Sequence, residues 1–322
     1  EINIEVKNAT LKITGGEIEV VQEESGLELD IEASKTNFIK NLENTNFDEE
    51  LIVAKIEPEV NSDDLEGIDT LLASYSTVAS PGDANRSENL RLATERTSDI
   101  LLMPGQEFSY NNYTGERTKE NGYKDAHVIS GGEVTFGTGG GVCQVSSTIF
   151  NSVLYAGLDI VTRINHSIPS TYVGLGRDAT VNDSGIDFVF KNNYENPVFI
   201  KNYYNNGKIT CQIFGVESDK KDIEISTTVN ATIEYSTIKQ VDTNLSEGAT
   251  KALESGRKGY SVTTYRIFYD KDGNEIKKET VCQSYYPSKN AVIAVGSNKS
   301  NSNNNSNNQN PSENNPGQGE NN

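Results

Sequence analysis

A single cysteine stands where a glycine-rich stretch gives way to a predicted helix. Cys143 follows Gly139-Gly-Gly141 and opens a helical pattern that continues to about Ala156. A thiol at a helix N-terminus lies near unpaired backbone N–H groups and the positive end of the helix dipole, and both stabilise the thiolate. The same N–H groups can stabilise an oxyanion when a carbonyl is attacked. Cys143 is therefore a candidate nucleophile, with a small buried hydrophobic side chain as the alternative.

The chain has only two histidines, and either can serve this thiol as a base. His166 follows Cys143 by 23 residues, in Asn165-His-Ser167. It is the first candidate for the base, although a hydrogen bond within a turn before Pro169 explains it equally well. His127 lies in a predicted strand and ranks second. A cysteine with an available histidine is the minimal set for covalent acyl transfer.

Two serines share the helix face of the cysteine. Ser146 and Ser147 follow Cys143 by three and four residues, which are the spacings that bring side chains to one face of a helix. Ser147 is predicted to assist the catalytic pair by orienting the nucleophile or the substrate. Ser146 is predicted to contact substrate.

Further candidates for substrate binding lie in glycine-rich turns. Arg177 and Asp178 follow Gly174-Leu-Gly176, and Arg117 lies in a Gly-Glu-Arg-Thr turn. A guanidinium in such a loop can hold a carboxylate through two hydrogen bonds, and Arg177 is the first candidate for this task. A structural Arg–Asp pair is equally compatible with this pattern. Tyr172 is predicted either to line an amphipathic groove or to complete the core.

The sequence offers little support for a metal site, a phosphate-binding loop or a disulfide. No CxxC or HxxxH spacing occurs, so no metal is expected, and no cofactor is predicted. The glycine loop lacks the lysine and the spacing of a phosphate-binding loop. Cys211 and Cys282 lie in phase with apolar residues of predicted strands; a disulfide between them is left open, although the odd cysteine count and the separate domains speak against it.

The candidate residues need a mixed α/β framework to position them. The pattern predicts one helix from Asn85 to Leu102, ended by Pro104-Gly105, and a second from Val142 to Ala156, with Gly157 as its terminating residue. Strands are expected over 186–191, 198–204 and 208–214, with a turn at Asn205-Asn-Gly207 between the last two. Residues 125–129 also read as a strand.

The flanks differ from this central region. Residues 1–75 alternate short predicted strands (2–6, 10–13, 18–21 and 50–56) with one helix over 34–42, the pattern of a small α+β module truncated at its start. Residues 223–295 read as strand after strand with glycine punctuation. Residues 298–322 are rich in Asn and Ser and are expected to be disordered, because they have almost nothing to bury.

Charge and composition limit the partners. The net charge is −19, and residues 1–75 contribute 19 acidic against 5 basic residues. Nucleic acid is therefore an unsuitable partner, because phosphate binding needs basic patches. The chain begins at Glu1 and its one methionine is Met103, so we expect a piece of a longer precursor with a signal peptide or membrane anchor upstream. No run of about 18 apolar residues occurs.

Six motifs in the centre of the chain, in order, resemble the VanW family. They are Pro104-Gly-Gln-Glu-Phe-Ser-Tyr-Asn111, Gly115-Glu-Arg-Thr118, Asn121-Gly-Tyr123, Gly139-Gly-Gly-Val-Cys-Gln-Val-Ser-Ser-Thr148, Asn165-His-Ser-Ile-Pro169 and Gly176-Arg-Asp-Ala-Thr180. The resemblance implies an L,D-transpeptidase acting in peptidoglycan cross-linking, with its cysteine nucleophile at Cys143. The His-Gly-Cys run of the commoner L,D-transpeptidases is absent from this sequence.

Both flanks resemble wall-binding modules. Residues 1–75 are similar to the later part of a peptidoglycan-binding domain, through Glu23-Glu-Ser-Gly-Leu-Glu-Leu-Asp30 and Pro58-Glu-Val60. The segment after the centre resembles the five-glycine domain of surface proteins, most clearly at Gly256-Arg-Lys-Gly-Tyr260. That resemblance implies binding to polymers that contain N-acetylglucosamine.

The sequence therefore predicts a multidomain α+β protein of the cell wall or cell surface. The expected parts are a peptidoglycan-binding module (1–75), a mixed α/β VanW domain (76–216), an all-β five-glycine domain (222–297) and a disordered tail (298–322). The expected function is a cysteine-dependent L,D-transpeptidase that forms 3–3 cross-links between peptidoglycan stem peptides while the flanks hold glycan strands. A non-catalytic wall-binding or adhesion protein is the first alternative, and a wall cysteine peptidase or carboxypeptidase is the second.

Overall fold

The computed structural model describes residues 3–14, 17–43, 50–79, 82–130 and 132–298. The predicted disordered tail falls outside these residues, apart from Asn298. The chain divides into two compact units, one formed by Glu1–Ile233 with Gly259–Pro287 and the other by Glu234–Lys258 with Ser288–Asn322. Among the described helices, none is long and apolar enough to cross a membrane.

The N-terminal part is built from two short antiparallel strand pairs and one helix. Its elements are β1 (Thr10–Thr14), β2 (Glu17–Val21), β3 (Gly26–Leu29), α1 (Ile31–Glu43) and β4 (Val53–Ile56). β1 pairs with β2, and β3 pairs with β4. The strand predicted over 2–6 is wrong within the described residues, where Ile4 forms only a single bridge with Leu27. The strand predicted over 50–56 begins at Val53 instead of Glu50.

The central part contains three helices and nine strands in the described residues. They are β5 (Thr70–Val78), α2 (Ala84–Arg96), β6 (Ile100–Leu102), β7 (Glu107–Ser109), α3 (Tyr110–Thr114), β8 (Asp125–Ser130), β9 (Glu133–Thr138), α4 (Val142–Ala156), β10 (Asp159–Thr162), β11 (Val189–Lys191), β12 (Val198–Asn205) and β13 (Lys208–Gly215).

The main sheet of this part has the order β5-β13-β12-β6 and is antiparallel throughout. β5 crosses the domain boundary predicted between residues 75 and 76. The predicted turn between β12 and β13 is confirmed: Asn206 and Gly207 both have positive φ, as a two-residue hairpin loop requires. A smaller sheet has the order β10-β11-β7, and β8 and β9 form a separate hairpin.

The helix predicted from Asn85 to Leu102 is wrong at its C-terminal end. α2 ends at Arg96, and the Thr97 hydroxyl donates to the carbonyl of Ala93. Asp99 then takes a positive φ of 59°, which turns the chain so that β6 can pair with β12. The apolar residues of β6 fit a helical period by chance, and pairing within the main sheet decided their structure.

The second predicted helix is confirmed with its predicted bounds. α4 runs from Val142 to Ala156, and nearly all of its side chains are buried between the main sheet and α2. Gly157 ends it in the left-handed conformation, with φ of 74°. A helix buried on almost every side holds its first turn in a fixed place, which matters because Cys143 lies there.

The C-terminal region is all-β, as predicted. Its strands are β14 (Asp222–Ile233), β15 (Thr237–Ser246), β16 (Thr250–Glu254), β17 (Gly259–Tyr269), β18 (Glu275–Tyr286) and β19 (Ala291–Asn298). In the first unit, β14, β17 and β18 form an antiparallel sheet whose Ile225, Val281 and Cys282 pack against the core around α4. In the second unit, β15, β19 and β16 form a sheet in which β15 and β19 are parallel.

Candidate active site

A cleft of about 740 Å³ opens at the first turn of α4. Its walls come from the glycine loop and helix start (138–144), the β8–β9 hairpin, and two stretches of the connection between β10 and β11 (168–172 and 180–183). This volume lies within the ordinary range of small-ligand sites. The connection from 163 to 188 contains no helix or strand, and long irregular connections of this kind are usually functional.

The glycine loop explains how Cys143 reaches the cleft. Gly139 and Gly141 have φ of 82° and 116°, values that other residues rarely adopt. A Cβ atom at Gly140 would lie 2.5 Å from the carbonyl oxygen of His127, so only glycine lets the loop pass this close to β8. Cys143 is then the second residue of α4. Its half-buried thiol donates to the carbonyl of Val181 at 3.4 Å.

His166 and Asp178 complete the arrangement around the thiol. The Nδ1 atom of His166 lies 2.6 Å from Oδ2 of Asp178, and the same oxygen accepts the backbone N–H of His166 at 2.7 Å. His166 also lies close enough to Cys143 for each group to shift the pKa of the other. Because Nδ1 is taken by Asp178, Nε2 is the ring nitrogen left for the thiol. The three side chains form a Cys–His–Asp series, the geometry used for nucleophilic acyl transfer.

The electrostatics of this series favour a charged pair. Burial opposes ionisation of the thiol, but the hydrogen bond and charge of His166, with the charge of Arg117, lower the pKa of Cys143 below its ordinary value. Burial also opposes the charged imidazole, but Asp178 and Cys143 raise the pKa of His166 to about 9. Between these two pKa values the thiolate and the imidazolium coexist.

Asp178 is the buried anion that this pair depends on. Burial alone would raise its pKa, yet the hydrogen bond from His166 and the charge of Arg163 hold it below the ordinary value. The Arg163 side chain, 1% exposed, lies 3.2 Å from Oδ1 of Asp178. The sequence predicts Asp178 as a substrate ligand, and its described contacts are instead to protein groups.

The two serines lie behind the thiol. Ser147 donates to the carbonyl of Cys143 at 2.7 Å and accepts the N–H of Ala179 at 2.9 Å. Ser146 donates to the carbonyl of Ala179 at 2.6 Å. Both residues are fully buried. Their hydroxyls therefore tie the first turn of α4 to the segment that carries Asp178.

Three other predicted residues line the cleft. His127 is exposed on β8 and packs edge-on against Phe136. Tyr172 lies beside the thiol, and burial raises its pKa well above the ordinary value. Arg117 is buried and lies 2.6 Å from Oδ1 of Asp183, with its guanidinium over the Tyr110 ring.

Arg86, and not the predicted Arg177, reaches the cleft. Arg177 is absent from the residues that line it; its guanidinium lies 5.3 Å from the centre of the Tyr75 ring and 5.2 Å from that of Tyr155, and it donates to Asn151 at 2.6 Å. Arg86 lines the cleft and donates to Oε1 of Gln144 at 2.9 Å. No sequence pattern distinguishes Arg86, because it is one of several arginines in α2. Its position only becomes visible when α2 packs beside α4.

The Cys143 amide is free to bind an oxyanion. The amides of Val142 and Gln144 donate to the carbonyls of Gly139 and Gly141. The Cys143 amide has no backbone acceptor in the described part of the chain. Of these three amides in the first turn of α4, the Cys143 amide is therefore the one available. The same described residues contain no group of three metal-binding side chains.

Comparison with known proteins identifies three domains. A family described as "VanW like protein" matches residues 85–214, and the G5 domain matches residues 224–298. Residues 1–49 match a family described as "Putative peptidoglycan binding domain". The predicted domain types and their order are confirmed.

Two curated proteins are similar to part of the chain. "Uncharacterized protein YoaR" of Bacillus subtilis is 44% identical over 147 residues, which are 45% of this chain and 48% of that protein. "Vancomycin B-type resistance protein VanW" of Enterococcus faecalis is 30% identical over 156 residues, 47% of this chain and 56% of that protein. The chain thus spans about half the length of these relatives.

Two solved structures each match about a quarter of the chain. "IgA1 Protease G5 domain structure" is 22% identical, with a TM-score of 0.20, and covers 25% of this chain and 95% of that one. "Crystal structure of HP0197-G5" is 16% identical, with a TM-score of 0.17, and covers 24% of this chain and 97% of that one. Taken together, the domain matches and the two relatives identify a cell-wall-associated protein with a peptidoglycan-binding-type domain, a VanW-like domain and a G5 domain, in that order.

Proposed function

We propose that the chain is a cysteine-dependent L,D-transpeptidase that forms 3–3 cross-links in peptidoglycan. The observation that supports this proposal best is the Cys143–His166–Asp178 series at the cleft. A lowered thiol pKa beside a raised imidazole pKa supplies a nucleophile and an acid next to each other.

The first half of the reaction forms a thioester. The Cys143 thiolate attacks the carbonyl carbon between the third residue of a donor stem and its terminal D-Ala. The tetrahedral oxyanion is held by the Cys143 amide. The C–N bond then breaks, the His166 imidazolium transfers its proton to the leaving amine, and D-Ala departs.

The second half forms the cross-link. Neutral His166 accepts a proton from the side-chain amine of a neighbouring stem as that amine attacks the thioester. The C–S bond breaks, the thiolate returns, and a new amide joins the two stems. Water in place of the amine gives carboxypeptidation, with release of the free tripeptide stem.

Arg86 is our candidate for recognising the carboxylate of the terminal D-Ala. It lies at the cleft wall beside Gln144, the residue after the nucleophile. Arg117 is already paired with Asp183, and Arg177 lies outside the cleft. Of the three arginines, Arg86 is therefore best placed to bind this carboxylate. A cation at this position selects stems that end one residue after the scissile bond. Ser146 and Ser147 support the nucleophile by holding the first turn of α4.

The flanking domains fit the same proposal. A peptidoglycan-binding domain and a G5 domain that hold glycan strands would raise the local concentration of stem peptides around the cleft. The protein would then act outside the cytoplasm, in the wall or at the membrane surface. The reaction as written needs no metal and no cofactor.

The test uses the full chain and purified disaccharide-tetrapeptide. Mass spectrometry should detect free D-Ala and a dimer lighter than two monomers by one D-Ala, and Cys143→Ala should abolish both products. Binding to purified wall sacculi, measured on the same variant, should persist. D-Ala without dimer would identify a carboxypeptidase, and sacculus binding without either product between about pH 5 and 9 would identify a non-catalytic wall-binding protein.

A further inference from the structure

The catalytic histidine and aspartate lie on a segment without helix or strand. The connection 163–188 carries both His166 and Asp178, so the rigidity of the site depends on what holds this connection in place. On one side it is tied to α4, through Ser146 and Ser147. On the other side it contacts β17 and β18, which belong to the G5 domain yet lie in the first compact unit.

Tyr286 of β18 contacts the connection at two points. Its hydroxyl donates to Oδ1 of Asp178 and accepts the backbone N–H of Gly176 at 2.8 Å. The side chain is 1% exposed, so neither contact competes with water. Oδ2 of the same carboxylate binds His166. Tyr286 therefore holds one oxygen of Asp178 while the histidine uses the other.

A second contact from β18 runs through Arg163. The guanidinium donates from Nη1 to the Ser284 hydroxyl at 2.7 Å, and Nη2 lies 3.2 Å from Oδ1 of Asp178. Its Nε donates to the backbone carbonyl of Asp178 at 2.6 Å. Ser284 thus fixes the cation that neutralises the buried carboxylate.

A third contact fixes Gly176, the glycine two residues before Asp178. Thr264 of β17 donates to the carbonyl of Gly176 at 2.9 Å. A Cβ atom at Gly176 would lie 2.5 Å from the Thr264 hydroxyl oxygen, so the strand and the loop meet without space for another side chain. Tyr286 and Thr264 thus contact the carboxylate of Asp178 and the backbone of Gly176, while Ser284 acts on the carboxylate through Arg163.

We infer that the strands β17 and β18 of the G5 domain complete the active site, and that Tyr286 is a positioning residue which holds Asp178, and through it His166, against Cys143. The G5 domain then has a role in the chemistry in addition to any polymer binding. The inference rests on the proposed function for its relevance to catalysis, but the contacts themselves do not depend on the substrate.

The charged and titratable groups that surround Cys143, His166 and Asp178 come from several elements. Arg163 and Tyr286 face Asp178, while Arg117, Tyr110 and Tyr172 lie near Cys143. Burial and the neighbouring carboxylate raise the pKa of Tyr286 above its ordinary value, so its hydroxyl stays protonated at neutral pH and can donate. Loss of that donor leaves Arg163 as the remaining described partner of Oδ1, so the anion behind the imidazolium is held less firmly.

The test compares Tyr286→Phe with Tyr285→Phe in the full chain. Tyr285 is the adjacent residue of β18 and its side chain is 59% exposed, so it is a matched control. The rate of Cys143 alkylation by iodoacetamide is measured against pH, with the modified cysteine identified by mass spectrometry. For Tyr286→Phe we expect the midpoint of this profile to rise by about one unit, a tenfold loss of thiolate at a pH below both midpoints. Tyr285→Phe should keep the wild-type midpoint.

Two further variants keep the test decisive if Tyr286→Phe does not fold. Ser284→Ala removes the acceptor for Arg163, and Thr264→Val removes the donor to Gly176; each should shift the midpoint in the same direction by a smaller amount. A folded Tyr286→Phe with an unchanged midpoint, or unchanged midpoints in both other variants, would overturn the inference. Because alkylation needs no peptidoglycan, the absence of cross-linked product in wild type would contradict the proposed function and leave this inference standing.

Discussion

His166 and Asp178 are held together through two contacts to one carboxylate oxygen, at 2.6 Å from the ring nitrogen and 2.7 Å from the backbone nitrogen of the histidine. The side chains are 4% and 1% exposed. The backbone contact fixes the position of the histidine and the ring contact fixes its tautomer. Nε2 is thereby the ring nitrogen left free for the thiol.

Alkylation of Cys143 and formation of the cross-linked product should depend on pH in different ways. Since the pKa of Cys143 is lowered, its thiolate is present above that lowered value, and alkylation should begin below the ordinary thiol range of about 8.5. Since the pKa of His166 is raised to about 9, its acid form is lost above that pH. We therefore expect product formation to fall above about pH 9 while alkylation continues.

The alkylation profile of the wild type is compared with that of the His166→Ala variant. Its alkylation midpoint should move up toward the ordinary thiol value, because the imidazolium that stabilises the thiolate is gone. Cys211 is an internal reference: burial raises its pKa to about 12, and it should stay unmodified in the folded protein. A midpoint for Cys143 near the ordinary value of about 8.5 in wild type would contradict the charged pair.

Asp178→Asn should reduce both catalysis and stability. The amide keeps the volume but not the charge, so kcat should fall on the order of 10²–10⁴-fold because the imidazolium loses its counter-ion. Arg163 would be left buried without its carboxylate, which we expect to cost about 3 kcal/mol of unfolding free energy. Urea denaturation and steady-state kinetics measure the two effects separately. Asp159→Asn, at an exposed position of β10, should change neither.

Arg86→Gln should weaken selection for a free terminal carboxylate. The loss of one charge-assisted contact predicts a fall in kcat/KM of about 10–100-fold for donors that end in D-Ala. Donors with an amidated C-terminus should lose far less. Arg91→Gln is the control, because Arg91 lies on the same helix and pairs with exposed Glu88 and Glu95. Equal losses for both donor types would show that Arg86 acts only through Gln144.

Gly176→Ala should destabilise the protein, and Gly174→Ala should not. Gly176 has φ of 80° and its Cβ would meet Thr264, so we expect a loss of about 2–4 kcal/mol in unfolding free energy. Gly174 lies two residues earlier, and a Cβ atom added there would have no other atom within 4 Å. Thermal and urea unfolding of both variants test this. If Gly176→Ala is as stable as the wild type, then β17 and the connection 163–188 can move apart without a loss of unfolding free energy.

Much of the central site follows from local sequence. The glycine loop, the helical period after it and Gly157 together predict α4 with its observed bounds, and the residue types predict the pairing of Cys143 with His166. The bounds of α4 depend on neighbours within a few residues, where backbone sterics and hydrogen bonding act, whereas the pairing follows from the residue types alone. The alternation of apolar residues likewise predicts a buried strand position for Cys211, which lies in β13.

Other assignments required the fold. Arg177 and Asp178 are adjacent and equally polar, yet Asp178 contacts His166 while Arg177 lies over the rings of Tyr75 and Tyr155. Nothing in the local sequence pattern distinguishes them. Neighbouring side chains in an extended segment point in opposite directions, so the fold decides which of the two faces the histidine. The end of α2 at Arg96 likewise depended on the pairing of β6 with β12.

By itself, the sequence determined the candidate nucleophile, the helix that carries it and the order of the three domain types, because glycine conformation, helical period and motif spacing are written in adjacent residues. Only the tertiary structure decided which carboxylate supports the histidine, which arginine reaches the cleft, and that Tyr286, 108 residues after Asp178, contacts it. The physical reason is that a buried charge takes its partners from whatever elements pack around it, and those elements come from distant parts of the chain.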